Sequence, residues 1–434
     1  MTPADRERRL LVLCYFYPPL AGGGVHRVLG FTRHLLEQGW RSTVVCAGPE
    51  DYWVVDETLL ERVPDEVEVV RVKGGSALAR WLRVRRGDRG RRPGGTFAGL
   101  RRLADWALVP DPYVGWAGRA RAAGERVLAR GGVDAMLSTS PPDSVHLAAR
   151  DLHRRHRVPW IADFRDPWMG LHLRTPPTAW HRSRQAALEK SVLEEADLVL
   201  AASRTHADHA GERSGARPRR VVHLPNGFEA GDVAAAPPPA ESGNADRFRM
   251  VYTGTLSLMP DVEVVMEALH DLFARRPEAR RRIRLTIAGP YDTGYEDRSI
   301  ALGLKGIVEF SGAVTHDAAR ALQREADLLL LWKPRDAPAM VPGKSYEYLD
   351  AGRPLLAILE ETDEAAALVR RAGADVVAPR DRVAIATVIE RRYVEWRESG
   401  RRPESRPGWL DDHRRDRLAA RLAGELDALV AARA

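Results

Sequence analysis

The sequence predicts an α/β protein made of two Rossmann-like domains, each with a doubly wound parallel sheet, facing one another across a cleft. Three observations support this prediction. Short apolar runs alternate with amphipathic helical stretches in both halves of the chain, glycines follow several of the apolar runs, and an Ala/Pro-rich segment interrupts the alternation near the middle. With 434 residues, the chain is also long enough for two or three domains.

The N-terminal half opens with a strand–helix–strand unit. The apolar run 10–17 is followed by two prolines and three glycines, and then by an amphipathic helix that begins at Val25 and stops at Gly39. The run 43–46 supplies the next strand. Basic residues before an apolar run are also typical of a signal peptide, but this run is short, and the glycines after it lead into an amphipathic helix. We therefore interpret it as the first strand of a domain.

The same alternation resumes in the C-terminal half. Predicted strands separated by helical stretches cover residues 250–252, 283–288, 307–310, 328–332, 355–359 and 376–377. The predicted organisation is therefore an N-terminal domain over 1–229, a Pro-rich linker over 230–247 and a C-terminal domain over 248–408. Leucines at helical spacing in 409–434 predict a last helix packed back on the body of the protein.

The composition is typical of a globular protein and excludes several classes. Hydrophobic residues make up 44% and charged residues 29% of the chain, and no apolar run approaches the length of about 18 residues that a membrane-spanning helix needs. Cys14 and Cys46 lie in apolar runs, so we expect buried thiols, which suits a cytoplasmic protein. The net charge is +7, but 62 of the 67 basic residues are arginine, a compositional bias that is weak evidence for a nucleic-acid partner.

Residues 80–102 interrupt the α/β pattern with nine arginines and one acid, Asp88, interleaved with tryptophan, phenylalanine and leucine. One interpretation is a solvated loop. The other is a basic and apolar patch that contacts anionic lipid or a phosphorylated acceptor, which would place the protein peripherally on the inner face of the cell membrane.

A glycine loop lies between the first strand and the first helix. Backbone N–H groups at Gly23 and Gly24 can approach a ligand at the helix N-terminus. The dinucleotide fingerprint is not met because Arg27 occupies the position of its third glycine, which disfavours a NAD-dependent enzyme. A tight turn without a ligand remains the alternative.

A second candidate anion site begins at Gly343. The run Gly343, Lys344, Ser345 is similar to the end of a phosphate loop, but Pro338 occupies the position of the loop's first glycine, so an NTPase is excluded. These residues open a predicted helix over 346–351, where free N–H groups and the helix dipole favour an anion. Lys344 adds a positive charge, and Glu347, one turn on, can accept two ribose hydroxyls.

A third cluster, Asp163 to Trp168, follows the apolar run 158–162. Polar residues at the carboxyl end of a parallel strand lie where α/β proteins bind ligands. The two acids and the arginine of this cluster form either a salt-bridged corner or part of a sugar pocket. Residues 138–142 are predicted to follow another strand end in the same cleft. The lone histidines His26, His146 and His316 are expected to be surface or capping residues.

Other catalytic classes lack their motifs. The sequence contains no H-E-x-x-H, no paired cysteines and no histidines at metal-ligand spacing, so we expect no metal site. It also contains no G-x-S-x-G motif for an acyl hydrolase.

Together these motifs resemble the family-4 retaining glycosyltransferases, which have the two-domain GT-B fold. The resemblance spans nearly the whole chain, and residues 163–168 look like the "DFRDPW" subgroup found in surface-polysaccharide synthesis. The residues that carry it are Tyr17-Pro18-Pro19 with the triple glycine, Asp163-Phe164-Arg165-Asp166-Pro167-Trp168, Leu224-Pro225-Asn226-Gly227, Tyr252-Thr253-Gly254-Thr255 and residues 343–354.

The resemblance implies transfer of a sugar from a nucleotide diphosphate to an acceptor hydroxyl with retention at the anomeric carbon. The C-terminal domain would hold the nucleotide sugar and the N-terminal domain the acceptor, which could be a glycan, a lipid-linked sugar or a small molecule. The departing diphosphate would take the acceptor proton. Neither a protein nucleophile, a tightly bound cofactor nor an obligatory metal is implied.

The resemblance and the motifs together predict the site residues. Predicted catalytic residues are Asp163, Arg165 and Asp166. Predicted donor-binding residues are Gly23, Gly24, Gly254, Thr255, Gly289, Lys333, Gly343, Lys344, Ser345, Tyr346 and Glu347. Predicted acceptor-binding residues are His26, Ser140 and Trp168.

The chain departs from the family pattern at several positions. Ala339 occupies the position of the first glutamate of the Glu-x7-Glu motif, with Asp336 nearby but out of register. Thr255 replaces a phosphate-binding arginine, and Arg165 stands in place of a histidine that many members aim at the donor sugar. Lys344, assisted by Lys333 or Arg165, is then expected to neutralise the diphosphate. These departures keep two alternatives open, a non-catalytic binding or scaffold subunit and a nucleotide-sugar epimerase.

Overall fold

The computed structural model describes residues 7–52, 54–73, 108–169, 176–214, 220–231, 246–256, 262–334, 337–401 and 405–433. Within these ranges the chain divides into two compact units, each with its own parallel sheet. The basic segment predicted over 80–102, residues 232–245 of the predicted linker and Asp336 lie outside the described residues.

The first unit runs to Gly227 and also includes the chain from His413 onward. Its strands are β1 (Arg8–Cys14), β2 (Trp40–Ala47), β3 (Glu68–Val72), β4 (Ala135–Ser140), β5 (Trp160–Phe164), β6 (Leu198–Ala201) and β7 (Arg220–His223). Its helices before Gly227 are α1 (Val25–His34), α2 (Val114–Ala129), α3 (Ser144–His156), α4 (Ala179–Glu195) and α5 (Arg204–Arg213). The described strands pair in the order β3-β2-β1-β4-β5-β6-β7, all parallel.

The central strands of this sheet are buried because helices cover both of its faces. In β1, residues 10–14 are all buried, and every residue of β4 and β5 is buried. The prediction that residues 138–140 follow a strand end was wrong, since they are the last residues of β4. Their buried backbone continues the parallel ladder with β5 from Ser138 to Ser140.

The second unit covers Phe228–Asp412. Its strands are β8 (Phe248–Thr253), β9 (Ile283–Ala288), β10 (Val308–Gly312), β11 (Leu328–Trp332), β12 (Leu355–Ile358) and β13 (Asp375–Val377). Its helices are α6 (Val262–Arg275), α7 (Ala279–Arg282), α8 (Gly294–Ala301), α9 (His316–Glu325), α10 (Gly343–Asp350), α11 (Glu364–Arg370) and α12 (Arg382–Ser399). The described strands pair in the order β10-β9-β8-β11-β12-β13, again all parallel.

The C-terminal helix, α13 (Arg415–Ala431), packs on the first unit. Its leucines at helical spacing are buried in the same core cluster as residues of β1 and α1. Near its C-terminal end, the Asp427 carboxylate accepts a hydrogen bond of 2.9 Å from the Trp40 indole nitrogen. The prediction of a last helix packed back on the body is confirmed.

Both sheets therefore have the doubly wound α/β topology that the sequence predicts. In each one the strand order reverses at a single place, between β1 and β4 in the first unit and between β8 and β11 in the second. Ligands of such sheets bind at the carboxyl ends of the strands beside this switch point. Among the described helices, none is long and apolar enough to cross a membrane.

Candidate functional site

Two glycines follow neighbouring strands near the switch point of the second unit. Gly254 comes directly after β8 with a φ of +130°, and Gly289 directly after β9 with a φ of +143°. A β-carbon at Gly289 would overlap the Gly254 carbonyl group, and one at Gly254 would overlap the Lys344 ammonium group. Both positions therefore require glycine, and the bare backbone allows Lys344 to approach the end of β8.

Helix α10 begins beside these turns. Pro342 precedes it and supplies no side-chain cap to the first turn, whose N–H groups carry the positive end of the helix dipole. Gly343 is its first residue, and Ser345 is fully buried in that turn. The Ser345 Oγ has no hydrogen-bond partner among the described residues. The helix start thus offers backbone donors to an anion.

The Lys344 side chain folds back from α10 to β8. Its Nζ donates a hydrogen bond of 2.8 Å to the Tyr252 hydroxyl oxygen and lies 4.1 Å from the centre of the Tyr252 ring. Burial lowers the pKa of Lys344 to about 7, while the charge of Glu347 acts in the opposite direction and raises it. A bound anion would also raise this pKa, so Lys344 is suited to respond to a negatively charged ligand.

Tyr252 is itself held rigidly. Its ring stacks on Trp332 with the two planes 1° apart and the ring centres separated by 4.1 Å. Tyr252 belongs to β8 and Trp332 to β11, so the stack lies across the switch point. Burial raises the pKa of Tyr252 well above its ordinary value, so the phenol is neutral.

A buried arginine fixes the part of α10 that carries Glu347. The Arg320 guanidinium donates a hydrogen bond of 2.7 Å to the Glu347 carbonyl oxygen and forms an ion pair with Asp350 in the last turn. Arg320 also donates to the Gln323 side-chain oxygen at 2.6 Å. Glu347 is half-buried. The backbone from which its carboxylate projects is therefore held at two successive turns.

The last residue of β8 is tied to the same helices. The Thr253 N–H donates to the Tyr348 hydroxyl oxygen at 2.8 Å, and the Gln323 amide nitrogen donates to the Thr253 hydroxyl oxygen at 2.9 Å. These side chains are buried. Helices α9 and α10 are thus fixed to the strand end that Lys344 contacts.

The other predicted donor-binding residues of this unit have different surroundings. Thr255 is exposed just after Gly254, and Tyr346 is buried in an apolar cluster with residues of β11 and β12. The Lys333 side chain is 1% exposed and its ammonium forms an ion pair of 2.9 Å with Asp363. This partner favours a structural role for Lys333. Ala339 is also buried.

In the first unit, Arg165 brings together two of the predicted motifs. Its Nε donates a hydrogen bond of 2.7 Å to the Ser140 carbonyl oxygen at the end of β4. Its guanidinium packs against Gly24, the residue that precedes α1, while Gly23 is exposed. Burial lowers the pKa of Arg165, and the charges of Asp166 and Asp163 raise it. A positive charge therefore lies near the start of α1 and the end of β4.

Asp163 lies in a buried ion pair. The carboxylate is 0% exposed and accepts two hydrogen bonds from Arg27, at 2.7 and 3.0 Å. It accepts a third, at 2.8 Å, from the Thr139 hydroxyl. Arg27 also donates to the Pro225 carbonyl oxygen at 2.7 Å. The pair thus connects α1, β4, β5 and the segment after β7, which indicates a structural anchoring role. The half-buried Asp166 is the more accessible acid of the motif.

The predicted acceptor-binding residues are buried. His26, in the first turn of α1, is 9% exposed, and Ser140 is fully buried with no partner for its Oγ among the described residues. The Trp168 indole nitrogen donates a hydrogen bond of 2.7 Å to Gln185, and its ring belongs to the core of the unit. Trp168 therefore positions the segment after β5 against α4.

One expectation about the lone histidines was wrong. His146 is fully buried, not a surface residue, and its Nδ1 lies 2.8 Å from the Ser138 Oγ. Its ring packs against Phe164 with the ring centres 4.3 Å apart. Burial lowers the pKa of His146 to about 3, which keeps the ring neutral. His316 is the first residue of α9 and is half-buried.

The partners that hold the two motifs in place are not apparent from the sequence motifs. In the sequence, Arg27 stands out only as the residue that breaks a glycine fingerprint, although an arginine in the first turn of a helix after a glycine loop is a suitable partner for a strand-end acid. Tyr252 lies in the 252–255 motif, but nothing in the motif predicts a contact with Lys344, and Arg320 has no local signal. Among the described residues, no group of three or more His, Cys, Asp or Glu side chains could hold a metal ion.

Comparisons with known proteins agree with this architecture. Residues 22–227 match the family model described as "Glycosyl transferase 4-like domain". No curated protein sequence matches the chain.

Solved structures match over nearly the whole length. Sucrose-phosphate synthase from Thermosynechococcus elongatus is 16% identical, with a TM-score of 0.61 over 98% of this chain and 100% of that chain. HepE from Anabaena in complex with UDP-glucose is 14% identical, with a TM-score of 0.60 over 97% of each chain. WaaG, a glycosyltransferase involved in lipopolysaccharide biosynthesis, is 16% identical, with a TM-score of 0.60 over 96% of this chain and 99% of that chain. The chain is thus similar to family-4 glycosyltransferases, with the GT-B fold over its length and a glycosyl transferase 4-like match over residues 22–227.

Proposed function

We propose that the chain transfers a sugar from a nucleotide-diphosphate donor to an acceptor hydroxyl, with retention of configuration at the anomeric carbon. The observation that carries this proposal is the placement of the Lys344 ammonium over Gly254, at the start of α10 and beside the switch point of the second sheet. A diphosphate needs such a combination of backbone donors and positive charge. Glu347, on the next turn of the same helix, is the acceptor for the two ribose hydroxyls.

In the proposed reaction, the bond between the anomeric carbon and the diphosphate oxygen breaks while the acceptor oxygen bonds to that carbon from the same face. The departing diphosphate oxygen takes the proton of the acceptor hydroxyl. Lys344 and the first N–H groups of α10 stabilise the negative charge that develops on the diphosphate. The chain then acts by positioning and by charge stabilisation, without a protein nucleophile.

We assign Arg165 and Asp166 to the reacting sugar or the acceptor. Both follow β5 at the carboxyl edge of the first sheet, and neither is fully buried. Gly24 lets the Arg165 guanidinium lie at the start of α1. Asp163 supports them indirectly because its carboxylate is committed to Arg27 and Thr139. A surface polysaccharide, a glycolipid or a natural product is the proposed acceptor class.

The test is the thermal stability of the purified protein against UDP-, GDP-, ADP- and TDP-sugars and the free nucleotides, without added metal. A ligand present at 100 times its Kd adds about 2.7 kcal/mol to the stability of the folded state. The complex of HepE with UDP-glucose makes this nucleotide sugar the first donor to try. We expect one nucleotide base to raise the melting temperature, and Lys344→Ala and Glu347→Ala to abolish both this shift and sugar transfer.

Matched controls separate the site from general charge effects. Lys305 and Glu309 are exposed residues of the same unit, away from α10 in the sequence, so Lys305→Ala and Glu309→Ala should keep the shift and the transfer rate. Wild-type rates in well-folded Lys344→Ala and Glu347→Ala proteins would contradict the site assignment.

A second candidate is a binding or scaffold subunit without transferase activity. The observation that favours it is the buried, apolar Ala339 at the position where the resemblance implies a glutamate. This candidate predicts no donor turnover with any acceptor, whereas an epimerase would convert the nucleotide sugar in the absence of an acceptor. Product analysis with and without acceptor distinguishes the three.

A further inference from the structure

The Lys344 ammonium is held by a residue that the proposed function does not yet use. We propose that Tyr252 is a positioning residue, whose hydroxyl holds the Lys344 ammonium over Gly254 so that it meets the donor diphosphate. This inference rests on the proposed function, because it concerns the same diphosphate site.

The geometry supports an anchoring contact. The Lys344 Nζ is 2.8 Å from the Tyr252 Oη, within the range of a charge-assisted hydrogen bond, and it lies over the ring of the same residue at 4.1 Å from its centre. The Tyr252 ring cannot turn away, because it is fully buried and stacked on Trp332. The hydroxyl oxygen is therefore a fixed point at the switch point of the sheet.

The anchor brings a charge to a strand end that has none of its own. Gly254 and the exposed Thr255 follow β8 and offer no cation there. Lysine carries its charge on a flexible four-carbon stem, which would otherwise occupy many conformations. Tyr252, on β8 two residues before Gly254, selects the conformation in which the Lys344 ammonium of α10 reaches the end of β8.

The anchor also leaves the charge available. Burial keeps Tyr252 a neutral phenol, so its hydroxyl oxygen orients the ammonium without neutralising it. Glu347, on the same helix as Lys344, raises the lysine pKa against the lowering caused by burial. An aspartate or glutamate at position 252 would instead form an ion pair that a diphosphate would have to break. A neutral acceptor is thus the appropriate partner for a cation that binds an anionic substrate.

The chain offers a direct readout of this contact because it contains five lysines. We would label the full-length protein with ¹³C-lysine, assign the Lys344 Cε resonance with Lys344→Arg, and titrate that resonance with pH in the absence of ligand. UDP and inorganic pyrophosphate serve as probes in a second titration of the same resonance. The affinity for the donor nucleotide is measured as the Kd for UDP. The variant is Tyr252→Phe, which keeps the ring and its stack but removes the hydroxyl.

Tyr393→Phe is the matched control. Tyr393 is a fully buried tyrosine of the same unit whose ring contacts Phe248 and Trp396, and its hydroxyl has no hydrogen-bond partner among the described residues. It removes one buried hydroxyl from the second unit without touching Lys344, so it reports any general loosening of the core.

In Tyr252→Phe we expect the Lys344 titration midpoint to move up towards the ordinary lysine value, because the ammonium leaves its buried position. We expect the Kd for UDP to rise about tenfold, as the loss of a hydrogen bond to a charged group predicts. Tyr393→Phe should match the wild type in both. An unchanged or lower midpoint in Tyr252→Phe, or an equal loss of UDP affinity in Tyr393→Phe, would overturn the proposal.

Failure of the proposed function gives a different result. In that case UDP and pyrophosphate leave the wild-type Lys344 resonance unmoved, while Tyr252→Phe still shifts its midpoint in the ligand-free titration. That pattern would support the Tyr252 anchor and exclude the diphosphate.

Discussion

Replacing Asp163 with asparagine should destabilise the first unit strongly, even though the two side chains have nearly the same shape. The carboxylate accepts three side-chain hydrogen bonds, two from Arg27 and one from Thr139. An asparagine has a single acceptor oxygen, so at least one of these donors would face an NH₂ group. The guanidinium of Arg27, whose side chain is 2% exposed, would remain buried without its counter-charge.

The magnitude follows from this burial. Removing one partner of a buried ion pair costs about 3–5 kcal/mol, because the remaining charge is desolvated and uncompensated. For a domain of 150–250 residues, 1 kcal/mol shifts the melting temperature by roughly 2–4 °C, so we expect the melting transition of the first unit to fall by roughly 6–20 °C.

Calorimetry of the wild type, Asp163→Asn and Asp166→Asn measures this effect. Asp166→Asn is the control because Asp166 is half-buried in the same motif, and we expect its melting temperature to change far less. Adding Arg27→Met to Asp163→Asn should recover part of the loss, since the unpaired charge is then removed as well. If Asp163→Asn had the melting temperature of the wild type but lost sugar transfer, Asp163 would be a catalytic residue and the anchor assignment would be refuted.

Two further predictions concern a glycine turn and a buried histidine. Gly289→Ala should abolish the nucleotide-induced melting shift by displacing the Gly254 carbonyl, whereas Gly306→Ala, at a residue that also has a positive φ (+74°) but no atom within 4 Å of an added β-carbon, should keep it. The folded-state pKa of His146 is about 3, so the unfolded chain binds the extra proton below pH 6.5 and stability falls as the pH drops towards 3. At pH 5 this costs about 2 kcal/mol relative to neutral pH. Urea unfolding at pH 5 and at neutral pH should show that His146→Phe does not lose this stability at the lower pH. The same pH dependence in His146→Phe and the wild type would contradict the prediction.

The fold was predictable because its central strands carry a strong local signal. The predicted strands 283–288 and 328–332 coincide with β9 and β11. All of β11 is apolar and buried, and in β9 buried apolar residues alternate with the half-buried Arg284 and Thr286. The edges gave a weaker signal. β3 and β7 lie at the two ends of the first sheet, and their residues are mostly half-buried or exposed, so no apolar run marks them.

Within the candidate site, the residues that could be found from the sequence are those whose chemistry is local. Gly343, Lys344 and Glu347 lie within one helix, so their spacing alone indicates an anion site. The residue that holds Lys344 in place, Tyr252, is 92 positions away, and a tyrosine in a strand is not unusual. Only the pairing of β8 with β11 and the position of α10 bring the two together.

Asp163 shows why a strand-end acid is ambiguous. Its position after an apolar run predicts a catalytic group, and the same position also suits an anchor, because the carboxyl end of a strand lies next to the start of a helix. Its partner decides between the two roles. Arg27 is 136 residues away in the sequence and places its guanidinium on both carboxylate oxygens. A carboxylate whose oxygens are both committed to a buried guanidinium cannot exchange protons with a substrate without first losing that partner. We therefore propose that Arg165 and Asp166, rather than Asp163, carry the chemistry of the first unit.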